Sequence, residues 1–147
     1  MRVGSPAYGV AAGDGELHLT LRSWTDTGLE ELVSSIVTFC EELAQRDGLE
    51  LQSETKQHFA ANNNDVAIGN VMRQAALESG LELIELPEPL KGGEDFGLFT
   101  TRFPCCMALL GAGENSPALH NPDYDFPDEL LESGVRLMEK IVRQVLG

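Results

Sequence analysis

Whatever chemistry this sequence holds is concentrated in two polar loops. The first is Gly92-Gly93-Glu94-Asp95-Phe96. Paired glycines expose backbone N–H groups, and a helix N-terminus just beyond them can hold an anion. Glu94 and Asp95 could ligate a metal or, equally, act as ordinary first-turn capping carboxylates. The second loop is Ala118-Leu119-His120-Asn121-Pro122-Asp123-Tyr124-Asp125-Phe126. His120 there could be a metal ligand or a proton carrier, with Asp123 and Asp125 orienting it, or a solvated loop histidine without a role. Arg22 could grip a carboxylate bidentately, although exposed strand arginines are commonplace. His18 and His58 read as solvated. Cys40, Cys105 and Cys106 show no zinc-ligand spacing and read as reduced structural residues. The sequence contains no G-x-S-x-G elbow, dinucleotide fingerprint or P-loop.

The hydropathy pattern sets out the elements that must position these loops. Leu17, Leu19 and Leu21 alternate with His18, Thr20 and Arg22, the period of a half-buried strand. Thr27 to Glu30 has capping-box spacing. Behind it Leu29, Leu32, Val33, Ile36, Cys40, Leu43 and Ala44 mark one helix face, closed by Gly48. A second strand runs from Leu49 to about Lys56, completing a β-α-β unit. His58 to Asn64 reads as a polar linker. Asp65 caps a helix ending at Gly80, and Leu81–Leu86 is a short strand. A short helix around Phe96–Thr101 follows the glycine loop. Cys105–Leu110 is apolar throughout, as expected of a strand buried on both faces. Pro127 suits the start of a terminal helix with a wide apolar stripe from Leu130 to Val145. The fold class is therefore α/β with neighbouring strands parallel. The expected organisation is 1–57, a linker at 58–64, and 65–147, and each half has too few strands for a closed sheet.

Composition excludes several classes. With 24 acidic against 10 basic residues and a net charge of -14, nucleic acid is not an expected partner, nor is an anionic membrane surface. The N-terminal residues lack a signal-peptide pattern, and the longest apolar run is far too short to span a bilayer. A cytoplasmic location is expected. Hydrophobic residues make up 42% of the chain, enough for a substantial core.

In this order and spacing, the two loops resemble the C-terminal part of the M20 family of zinc-dependent peptidases and amidohydrolases, closest to its aminoacylase-like branch. The resemblance runs from about Ala7 to the end. It implies that the first β-α-β is half of a ferredoxin-like lid, which often carries dimer contacts, and that the remainder is the C-terminal α/β portion of the catalytic domain. It further implies hydrolysis of amide bonds in N-acyl amino acids or small peptides, with zinc or manganese activating water. His120 matches a metal ligand, Gly92, Gly93, Glu94 and Asp95 match a substrate-pocket loop, and Arg22 matches a lid arginine. Pro6 falls roughly where the family has a lid asparagine.

The family's H-x-D segment, bridging aspartate and Glu-Glu pair with the general base precede the lid and have no counterpart in these 147 residues. The expectation is therefore a hydrolase segment, inactive and without its metal when alone, that completes itself with an N-terminal partner segment or by self-association. A small-molecule substrate is expected only when the N-terminal part is present. Two alternatives stay open: a non-enzymatic binding or oligomerisation module, and an unrelated enzyme using His120 with Asp123 or Asp125 as base.

Overall fold

The computed structural model describes residues 1–6 and 8–147, and the chain divides between Lys56 and Gln57 into two units. Ala7, where the resemblance begins, lies outside the described residues. In the first unit, strands β1 (Arg2–Val3) and β2 (Gly15–Glu16) pair antiparallel, with Arg2 opposite Glu16 and Val3 opposite Gly15. Helix α1 (Asp26–Asp47) starts two residues ahead of the expected capping box. Thr25 is extended, with φ -134° and ψ 150°, and its hydroxyl accepts a hydrogen bond from the Gly28 N–H at 3.1 Å. A Cβ at position 28 would come within 2.6 Å of the Ser23 hydroxyl and 2.9 Å of the capping Thr25 hydroxyl, so a side chain there would have to displace them. The far end closes as expected: Gly48 is left-handed at φ 67°, and its N–H and that of Leu49 return to the last turn.

The second unit is built around helix α2 (Val66–Glu78). Asp65 caps it by accepting from the Ile68 N–H at 3.0 Å. Gly80, at φ 73°, lets the chain reverse so that the Leu81 N–H reaches the Ala76 carbonyl. The short helix α3 (Gly97–Thr100) and the long terminal helix α4 (Glu129–Leu146) complete the unit, with α2 packed against α4. Near the ends of these helices, Gln74 of α2 and Gln144 of α4 both hydrogen-bond the exposed Glu78 carboxylate, holding its pKa below the usual range. The broad apolar stripe of α4 splits in two. Leu130, Leu137 and Ile141 are half-buried, whereas Leu131, Val135, Met138 and Val142 remain 53–68% exposed.

Residues 58–64 are not a free tether. Asn64 clasps Met107 at both backbone groups: its Nδ2 donates to the Met107 carbonyl and its Oδ1 accepts from the Met107 N–H, each at 2.9 Å. The Asp65 N–H donates to the Cys105 carbonyl at 2.8 Å, and the Thr100 hydroxyl donates to the Ala61 carbonyl at 3.1 Å. The asparagine run thus serves the second unit as a surrogate strand.

The result is a mixed chain of helices with one small sheet, consistent with an α/β segment, but the four strands expected from the sequence are not formed. Leu17–Leu21, Leu49–Lys56, Leu81–Leu86 and Cys105–Leu110 run without a sheet ladder. The reason is a lack of neighbours: an extended segment becomes a strand only when another backbone takes up its N–H and C=O groups. The lone sheet is antiparallel, not parallel. The apolar faces also stay open. Leu17 and Leu19 are more than half exposed, and Leu109 is 64% exposed where burial on both faces was expected. Among the described residues the buried apolar side chains are Ala44, Ala75 and Ala76, and no large one is fully buried.

The Asn64 clasp makes a direct prediction. Asn64→Ala removes two hydrogen bonds from the Met107 backbone and should cost about 1 kcal/mol. Hydrogen exchange checks it: the Met107 amide should lose protection while the α1 amides are unchanged. Unchanged exchange at Met107 would refute the clasp.

Candidate functional site

The glycine loop is shaped by two close approaches. A Cβ on Gly93 would come within 2.6 Å of the Phe59 ring, so the loop lies directly on that aromatic face. A Cβ on Gly97 would overlap the Ala60 carbonyl, so α3 is pressed onto the Ala60–Ala61 backbone and only glycine fits at its first position. The Gly97 N–H bonds to the Glu94 carbonyl and the Leu98 N–H to the Asp95 carbonyl. Glu94 and Asp95 therefore set the entry turn of α3 through their backbones, while their side chains stay exposed. Phe96 and Phe99 pack with ring centroids 5.7 Å apart. Gly92 and Gly93 are both exposed, so the backbone of this loop is accessible to a ligand.

His120 stands at a backbone outlier. Its φ is 72°, one of two non-glycine residues with positive φ among those described. The Asn121 N–H bonds back to the Ala118 carbonyl and the Tyr124 N–H to the Asn121 carbonyl. His120 thus occupies the third position of a tight turn, where φ must be positive and where glycine or asparagine is usual. A histidine held in the left-handed region costs of order 1 kcal/mol or more, and such outliers cluster at functional positions. Its ring is exposed, and none of the hydrogen bonds among the described residues involves it.

The donors near His120 do not by themselves fit a metal ion. Among the described residues no three His, Cys, Asp or Glu side chains gather closely enough to hold one, whereas zinc in proteins takes three or four protein ligands. Arg22 is exposed in the first unit, and the two loops belong to the second. The three cysteines are free and half-buried, and burial pushes the Cys106 thiol above its usual pKa, as suits a structural thiol.

Two features of the second unit escaped the pattern reading. Asn64 looked like linker composition; the available clue was its place directly before the helix cap Asp65. The other is a groove of about 670 Å³ lined by Leu110, Tyr124, Phe126, Val135, Met138 and Val142. Its clue was the excess width of the α4 stripe, too wide for a helix covered by one neighbour.

Loops that enter helices from extended segments, one glycine-rich and one bearing a histidine on a left-handed backbone, define a part of an α/β protein with its polar groups gathered at helix entries. The chain belongs to peptidase family M20/M25/M40, whose profile matches residues 5–144. It is similar to N-acetyldiaminopimelate deacetylases. That of Lactobacillus acidophilus is 26% identical over 140 residues, covering 94% of this chain and 36% of the relative. That of Streptococcus sanguinis is 35% identical over 116 residues, covering 77% and 30%. That of Oenococcus oeni is 26% identical over 125 residues, covering 84% and 32%. The chain thus spans about a third of the length of the curated relatives it matches. No solved structure matches.

The Gly97 contact supplies the second prediction. Gly97→Ala should displace α3 and destabilise the second unit by about 2 kcal/mol, because the clash is with backbone that cannot rotate away. Gly92→Ala, which meets nothing within 4 Å, should be near neutral. Urea midpoints of the two variants decide it; equal midpoints would refute the close approach.

Proposed function

We propose that this chain is the C-terminal segment of a metal-dependent amidohydrolase that cleaves the amide bond of N-acyl amino acids or small peptides. The observation that carries the reading is His120. The residue that matches a family metal ligand is also the one held at φ 72°, inside the stretch matched by the family. The names of the relatives add an N-acetylated diamino acid as the favoured substrate class. In this reading Gly92 and Gly93 present backbone N–H groups to the substrate, Glu94 and Asp95 border the pocket, and Arg22 meets a substrate carboxylate. The first unit is half of a ferredoxin-like lid. His120 is the one metal ligand this chain brings to a zinc or manganese site whose other ligands, like the general base, come from elsewhere. A soluble cytoplasmic protein suits this role, and among the described residues no helix is long and apolar enough to cross a membrane.

What the chain's own residues do is position and select. The turn from Ala118 to Tyr124 sets the backbone that carries His120 through its hydrogen bonds. The Phe59 contact and the Gly97 approach fix the glycine loop. No residue of this chain matches the family's general base, so the isolated chain should be inactive.

The third prediction tests this directly. A chimaera in which this chain replaces the matched stretch of the Streptococcus sanguinis deacetylase should hydrolyse N-acetyldiaminopimelate. His120→Ala in that chimaera should reduce kcat/KM by about 100-fold or more, with the fold retained by circular dichroism. The chain alone should show no hydrolysis and no stoichiometric zinc uptake. A chimaera whose activity is indifferent to His120→Ala would overturn the assignment.

A further inference from the structure

We draw no further inference here: the strongest candidate, the exposed carboxylate pair of Glu94 and Asp95 at the entry turn of α3, belongs to the site already described, and no second observation in the structure points to a ligand of its own.

Discussion

Backbone hydrogen bonding is the constraint on which the rest of this structure depends. Every N–H and C=O group must find a partner, in protein or in water. Helices satisfy the requirement locally: α1 and α2 carry side-chain caps at Thr25 and Asp65, and α4 forms without one at Asp128. Strands cannot do so alone. In the second unit the requirement is met once by substitution: the side-chain amide of Asn64 offers Met107 the donor and acceptor that a neighbouring strand would have offered. That substitution extends over a few residues and no further. Beyond it the apolar run Ala108–Leu110 has the composition of a central strand and the environment of an edge.

The apolar surface follows from the same shortage. Side chains on α2 and α4 that face each other are partly covered, and the alanines of α2 allow the close approach. Side chains that would face a sheet have no sheet beneath them. This is why α4 carries one half-buried stripe and one open stripe, with Glu132–Arg136 and Glu139–Arg143 pairs along the helix. Those exposed pairs contribute little to stability. They are, however, compatible with water in a way that Leu131, Val135, Met138 and Val142 are not. In a chain that is 42% hydrophobic, the buried apolar side chains among the described residues are alanines.

The parts of the fold legible in the sequence were those governed by neighbours along the chain. Asp65 before an apolar period, and Gly48 and Gly80 after one, are read correctly because a cap involves residues within one or two turns. The cap at Thr25 was misplaced by two residues, since Thr25 and Thr27 offer the same hydroxyl and the choice falls to Gly28, whose missing side chain makes room for Ser23 and Thr25. The strands were misread for a different reason. Alternation in Leu17–Leu21 states what the segment would bury if a sheet were present, and says nothing about whether that sheet is in the same chain. At the site, residue types and spacing singled out His120 and the glycine loop. The left-handed turn under His120 and the pressure of Gly97 on Ala60 were not legible, because both depend on backbone geometry that no side-chain pattern encodes.

Site and fold are incomplete for one physical reason. A metal ion needs several donors converging from separate elements, and a sheet needs several strands converging in the same way. Both are non-local: among the described residues no three His, Cys, Asp or Glu side chains gather closely enough to hold a metal ion, and the sheet has two strands. His120 is held at a costly backbone angle, φ 72°, by the turn that starts at Ala118. One edge of Cys105–Leu110 is held by hydrogen bonds to Asn64 and Asp65. The apolar Cys105–Leu110 segment leads into the loop that carries His120, and that loop leads into α4, so the backbone geometry of this loop is set by the elements at both of its ends.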